Sequence, residues 1–401
     1  MENYPELRKL SYRRPPEDDA EYQRRFNSPG CVKLDFHVGK YPLFYVITPD
    51  LIRLEDHITQ AAYRIQALTH DLPNGATAHF IRSLIADETV ATNSIEAIHS
   101  TRKEALEALD AAPSPSVRLS PLVHLLTALS DAAENVPFNE PADVRKIYDD
   151  VTAGEVAESD SPDGKLFRAQ PVHVMSSAQK ALHTGFQPEE RIHRGISAII
   201  REWKQPSSSR LMSAIIGHLM FEIVHPFYDG NGRTGRFLLA RQIAELGWPI
   251  TALGVSSQID RQKAQYYEQF LAAEHPLNRG EATHFLAFFL ELIHAAQNVV
   301  LDQLNERRHS LDVVSEKLRS MDLDEPLENT LWILAQVYAF GADDAISRNE
   351  LGKYLQKSTP TTVAYLNALD DAGWIEYVKR RPVMLRLSTQ GAENLGILRA
   401  Y

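Results

Sequence analysis

A single cysteine, Cys31, stands in a chain of 401 residues. That scarcity excludes an intrachain disulfide framework and a multi-cysteine zinc site built within the chain, and it favours a reducing, cytoplasmic setting. No apolar stretch follows the charged start from Met1 to Lys9, so no signal peptide is expected. Later apolar runs are interrupted by residues such as Glu291 and His294, and no membrane-spanning helix is expected either. Basic residues are in deficit, 42 against 53 acidic, for a net charge of -11. Such a surface opposes general adhesion to nucleic acid or anionic lipid, although a local basic patch could still bind DNA. A hydrophobic fraction of 44% and a charged fraction of 24% are those of an ordinary globular chain, long enough for two or three domains.

What is present is mainly helical periodicity. Residues 1–48, rich in Pro, Arg and Asp, read as an extended N-terminal arm in which Val32 to Val38 alternates like a strand. Over 49–127 apolar positions recur every three or four residues, as in Leu54, Ile58, Ala61, Ala62, Ile65 and Leu68, which marks helices. Pro113 to Ser116 and Ser159 to Gly164 break the pattern, and Val172, His173 and Val174 suit a short hairpin. A core segment over 128–320 contains one helix with a stripe of Met212, Ile215, Ile216, Leu219, Met220 and Ile223, stopped by Pro226. A second starts near Arg233 and ends at Gly247, with Pro249 just beyond. A linker at Met321 to Pro326 leads to a separate module over 326–401.

The chemistry gathers between the two core helices, in His225-Pro226-Phe227-Tyr228-Asp229-Gly230-Asn231-Gly232-Arg233-Thr234-Gly235-Arg236. Glycines let backbone N–H groups approach phosphate oxygens, and the start of a helix carries a partial positive charge that favours an anion. Arg233 and Arg236 lie three apart on the first turns, where cations are unfavourable unless an anionic ligand or a salt bridge compensates them. As a pair they can clamp different phosphates. Asp229 can hold magnesium, which takes one or two carboxylates and completes its shell with phosphate oxygens and water. His225 can accept a hydroxyl proton at neutral pH. The loop also satisfies G-x-G-x-x-G, but it follows a helix rather than a strand, and Arg236 and Phe237 stand where a P-loop needs Lys and Ser or Thr.

This run matches the Fic family signature H-P-F-x-(D/E)-G-N-G-R-x-x-R at every specified position. The resemblance implies an all-helical Fic core with a short β-hairpin flap and a protein adenylyltransferase activity that moves AMP from ATP and Mg2+ to a Ser, Thr or Tyr hydroxyl of a protein target. In that pattern His225 is the base, Phe227 buries the loop and Asp229 binds the metal. Asn231 with Gly230, Gly232 and Gly235 holds the α-phosphate region, Thr234 belongs to the same ATP-binding run, and Arg233 and Arg236 reach the outer phosphates. Upstream, Glu88 to Ala97 resembles the family's inhibitory helix, (S/T)-x-x-x-E-(G/N), with Thr92 and Glu96 on pattern. Glu96 would pair with Arg236 and displace the γ-phosphate. Ala97 replaces the expected Gly or Asn, which leaves the helix free to run on past the point where relatives turn. Arg168 to Met175 corresponds to the flap, and Tyr266 and Tyr267 resemble a tyrosine pair near the adenine.

In the C-terminal module, helices are expected at Thr330 to Phe340, Ser347 to Leu355 and Pro360 to Ala372, followed by two strands within Trp374 to Leu387. That order resembles a winged helix-turn-helix, with Thr361 to Leu369 as recognition helix and Lys379, Arg380 and Arg381 in the wing. Few cations on that helix, and Asp370 and Asp371 at its end, favour protein docking or a homodimer over DNA. Self-modification fits an enzyme that acts on hydroxyls. Removal of AMP, transfer of another phosphate-containing group and a nucleotide-responsive transcriptional regulator are the competing functions.

Overall fold

Helices form at the N-terminus even where apolar periodicity is weak. In the computed structural model, which describes residues 4–13, 17–114, 117–131, 136–153, 155–175 and 181–397, α1 spans Leu7–Arg13 and α2 spans Glu17–Phe26. The arm is therefore not extended. Three acidic residues open α2 and two arginines close it, which suits the helix dipole. Arg25, fully buried, donates to Glu281 at 2.8 Å and fastens α2 to a distant part of the chain. The alternating segment becomes β1 (Cys31–Val38), which pairs antiparallel with β2 (Tyr41–Val46).

Contacts divide the chain into two units, one of residues 1–62 and 87–298, the other of residues 63–86 and 299–401. After the hairpin come α3 (Pro49–His70), α4 (Asn74–Ile95), α5 (Arg102–Asp110), α6 (Ser120–Ser130) and α7 (Pro141–Val151). Of the first expected break, Pro115 and Ser116 lie outside the described residues. The flap hairpin consists of β3 (His173–Met175) and β4 (Ala181–Thr184), so its second strand lies beyond the segment assigned to it by sequence.

The first unit is built around α8 (Glu189–Lys204), α9 (Arg210–Val224) and α10 (Asn231–Ala244). Ser209 caps α9 by accepting from Met212 N at 3.1 Å. Apart from Arg210 and Glu222, every residue of α9 is buried, as are most of those of α10, so these are central helices rather than amphipathic surface ones. Short helices α11 (Pro249–Ala252), α12 (Val255–Arg261) and α13 (Lys263–Glu274) precede α14 (Thr283–Arg319). α14 is long and apolar enough to cross a membrane by composition, but 61% of that apolar window is buried inside the fold, as in a core helix.

In the second unit α15 (Glu325–Phe340) is followed by β5 (Ile346–Ser347), α16 (Arg348–Leu355), α17 (Thr359–Asp371), β6 (Ile375–Arg380), β7 (Val383–Leu387) and α18 (Thr389–Leu395). The three strands form an antiparallel sheet in the order β5-β7-β6. Ser347 accepts from Glu350 N at 3.1 Å and Ser358 caps α17. Gly373, at φ 75°, ends α17 with its N–H on Asp370, as a left-handed cap requires. α18 and the two-residue β5 had no counterpart in the sequence reading.

Candidate active site

The signature loop lies between the end of α9 and the start of α10, in the first unit. His225 is the C-cap of α9 and takes the left-handed conformation, φ 50° and ψ 64°. Arg168 fixes this strained turn: its Nε donates to the His225 carbonyl at 2.8 Å, and its other nitrogens donate to the carbonyls of Gln170 and Phe186. Phe227 is fully buried and stacks on Tyr148 with ring centroids 3.7 Å apart. Asp229 is exposed, and one carboxylate oxygen accepts from Gly230 N at 2.7 Å.

Two expected phosphate ligands have other work. The buried Asn231 side chain donates to the Phe227 carbonyl at 2.8 Å and accepts from Phe227 N at 3.0 Å, so both of its ends hold the loop together. Thr234 is buried too and donates its hydroxyl to the Gly230 carbonyl one turn back. Of the glycines, Gly230 supplies a φ of 78° at the N-cap of α10. A side chain at Gly232 would place Cβ 2.1 Å from Glu96 Oε1, and one at Gly235 would place it 2.2 Å from Glu222 Oε1. The glycines on α10 thus make room for carboxylates.

Both signature arginines are buried, with 0% of the Arg233 side chain and 1% of the Arg236 side chain exposed. Arg236 donates through Nε to Thr92 Oγ1 at 3.0 Å, through Nη2 to the Thr92 carbonyl at 2.9 Å and through Nη1 to Glu96 Oε1 at 2.8 Å. Burial acts against its charge, but Glu96, Tyr266 and Glu222 outweigh it and the pKa is raised. α4 does not run on past Ala97. It stops at Ile95, and Ala97 adopts φ 58°, because the turn that carries Glu96 to Arg236 needs a left-handed residue there whatever its side chain. Ile98 N closes the turn onto the Asn93 carbonyl at 2.9 Å.

Arg233 Nη1 donates to Glu155 Oε2, while its Nε and Nη2 are buried and, among the described residues, without a hydrogen-bond partner. Tyr266 is a core residue whose hydroxyl lies 3.1 Å from His218 Nε2, whereas Tyr267 is half-exposed and donates to the Ile95 carbonyl at 3.2 Å. Of that pair, only Tyr267 has an accessible ring. Burial drives His218 down to about 3, so it is neutral at physiological pH.

The roles of three residues around the loop escaped the sequence reading. Glu155 sits in an irregular segment with no local signal, and Arg168 figured only as the start of the flap segment, not as the residue that holds His225. Glu222 did leave one, as a lone carboxylate in the apolar run of α9. Its Oε1 is sealed from solvent, and its pKa is pushed up to about 8 by burial first, with Glu96 and Glu274 adding to the rise and Arg236 opposing it.

Residues 137–243 match the Fic/DOC family. An Aquifex aeolicus protein named as a probable protein adenylyltransferase is 32% identical over 104 residues, 25% of this chain and 32% of its own length. Protein adenylyltransferase fic-1 of Caenorhabditis briggsae is 34% identical over 91 residues, 22% of this chain and 16% of its own length. The chain thus spans about a third or less of these curated relatives. In fold it is similar to a Fic family protein from Desulfovibrio desulfuricans G20, with a TM-score of 0.53 at 20% identity over 86% of this chain and 98% of that one. The helix–loop–helix that carries His225, Arg233 and Arg236 therefore lies within the stretch that matches the Fic/DOC family.

Proposed function

We propose that the first unit transfers AMP from ATP to a Ser, Thr or Tyr hydroxyl of a protein, and that the conformation described here is its restrained state. The observation that carries this reading is the burial of two guanidinium groups on the first turns of α10, where the helix dipole disfavours cations and a triphosphate would repay them. Support comes also from the relatives, named as adenylyltransferases over the matching stretch.

His225 takes the proton of the target hydroxyl, and that oxygen attacks the α-phosphorus in line. The bond from the α-phosphorus to the bridging oxygen breaks, and pyrophosphate leaves with the pair of electrons. Arg233 and Arg236 hold the outer phosphates, and positioning with charge neutralisation is the main catalytic contribution. Asp229 suits a magnesium ion as a single exposed carboxylate, and the ion would supply neutralisation of the phosphates. Among the described residues no group of three or more His, Cys, Asp or Glu side chains converges, so the remaining ligands would be phosphate and water. Glu96 and Thr92 together accept from all three nitrogens of Arg236, so in this reading they compete with the γ-phosphate for that group.

Incubation of wild type, Glu96→Gly and His225→Ala with magnesium and α-labelled ATP, followed by intact mass, tests the reading. Label with the mass of AMP on Glu96→Gly, or on an added target protein, and none with His225→Ala is the expected result. No AMP on any protein with any variant would end it.

For the second unit we propose a winged helix that docks protein partners. The order helix, strand, helix, helix, strand, strand supports it, and Asp370 and Asp371 at the end of α17 weigh against DNA. Duplex DNA binding at 150 mM salt would reverse the second half of this reading.

A further inference from the structure

Arg233 and Arg236 are equally buried but differently engaged. A guanidinium carries five N–H donors on three nitrogens. On Arg233 only Nη1 is taken, by Glu155, while Nε and Nη2 are sealed from solvent without a partner among the described residues. Unpartnered donors on a fully buried cation are costly, so this edge is shaped for acceptors that the described residues do not supply. Glu155 is in turn held. Arg118 donates through Nε to Glu155 Oε1 at 3.2 Å, through Nη1 to Glu104 Oε1 at 3.1 Å, and through Nη2 to the His99 carbonyl. Glu104 is fixed in the capping box of α5 with Thr101.

We propose that Glu155 is a positioning residue for nucleotide binding: it anchors one corner of Arg233 so that the Nε–Nη2 edge faces the phosphates, and Arg118 keeps Glu155 in register. This assignment rests on the adenylyltransferase reading of the same loop. Glu155 need not leave when phosphate arrives, because the three nitrogens of Arg233 can serve carboxylate and phosphate together. In this it differs from Glu96, which together with Thr92 occupies every nitrogen of Arg236. Coulomb's law alone gives the opposite expectation, since an anion beside a phosphate site repels phosphate. The sign of the effect therefore decides the matter.

The test measures dissociation constants for ATP and for adenosine, with magnesium, on the full chain carrying Glu96→Gly, alone and combined with Glu155→Ala, Glu155→Gln or Arg118→Gln. If Glu155 positions Arg233, Glu155→Ala weakens ATP by about tenfold through lost preorganisation while adenosine binding stays the same. Glu155→Gln, which keeps one acceptor, and Arg118→Gln, which loosens the carboxylate, fall between. KM for ATP rises more than kcat falls, as expected when a phosphate contact made in ground and transition states alike is impaired. Equal weakening of ATP and adenosine would reduce Glu155 to a structural prop, and tighter or unchanged ATP binding would make it a second mask or a bystander; each overturns the proposal. Failure of Glu96→Gly itself to bind ATP would instead refute the nucleotide reading on which the proposal rests.

Discussion

Arg233 and Arg236 stand one turn apart on α10, carry the same group and are both buried, yet one is tethered at a single corner and the other is enclosed. The partners of Arg236 come from α4, a continuous helix that ends in a left-handed turn and delivers Thr92 and Glu96 together. The partner of Arg233 comes from Glu155, which lies outside any regular element and is steadied by a surface arginine, Arg118. Enclosure puts an acceptor on every nitrogen of the group. Tethering at one corner makes a contact that can stay while ligand binds.

The largest expected consequence is for stability. Arg236→Met strips Glu96 of its cation and Thr92 of its donors, and breaking such a pair from one side costs about 3–5 kcal/mol. Arg233→Met loses one ion pair but also removes two buried nitrogens that have no partner among the described residues, so the cost should be about 1 kcal/mol or less. Urea unfolding of the full chain separates the two. Equal losses would mean that enclosure adds nothing to the Arg236 corner.

Steric substitutions probe the same corner more gently. Gly235→Ala drives Cβ to 2.2 Å from Glu222 Oε1 and 3.0 Å from the Phe221 ring, a clash in a packed core worth about 1–3 kcal/mol. Gly232→Ala meets the far end of Glu96 at 2.1 Å, and that flexible, partly exposed side chain can swing away. Its cost in melting temperature should be the smaller of the two, with labelling by α-labelled ATP moving toward the Glu96→Gly level. Labelling that stays at the wild-type level would show that Glu96 keeps its hold.

Next in size is a pH effect particular to the Arg236 corner. Glu222 is pushed up to about 8 and Glu88 to about 7, in both cases by burial first; Arg236 opposes the rise in each, and hydrogen bonds from Ser256 restrain Glu88. Both values exceed the ~4.3 of an unfolded glutamate, so the native state keeps protons that the unfolded state releases. Their contribution is complete below that value and is lost as pH rises through about 7 and then about 8. Thermal unfolding midpoints should fall between pH 6 and pH 9, and Glu222→Gln should remove on the order of 1 kcal/mol of that fall. An unchanged pH slope in the variant would remove Glu222 from the explanation.

The two corners were also unequally legible in sequence. The signature is contiguous, so the loop and both arginines could be placed from the sequence, and Thr92 and Glu96 followed because Glu88 to Ala97 resembles the family's inhibitory-helix pattern. Glu155 is one acidic residue among many in an irregular stretch, and nothing local reports that it meets an arginine 78 positions away. The loop-closing bonds of Asn231 and Thr234 were not legible for a related reason. Polar side chains in a glycine-rich loop look available to a ligand, but a loop with few regular hydrogen bonds needs its own polar groups to close it. α1 and α2 were missed because the residue that fixes them, Arg25, finds Glu281 only after the chain has folded back.

The smallest effect concerns the turn that brings Glu96 into place. Ala97 sits at φ 58°, where a Cβ is strained and a glycine is not. Ala97→Gly should stabilise the described conformation by about 0.5–1 kcal/mol, less whatever the unfolded chain gains in freedom. If release of Arg236 lets this residue relax into an ordinary helical conformation, the substitution favours the closed state over the open one. Basal AMP labelling should then drop about two- to fivefold while the Glu96→Gly variant, which has no carboxylate to deliver, is unaffected. An equal drop in both would mean that residue 97 acts on nucleotide binding itself rather than on the turn.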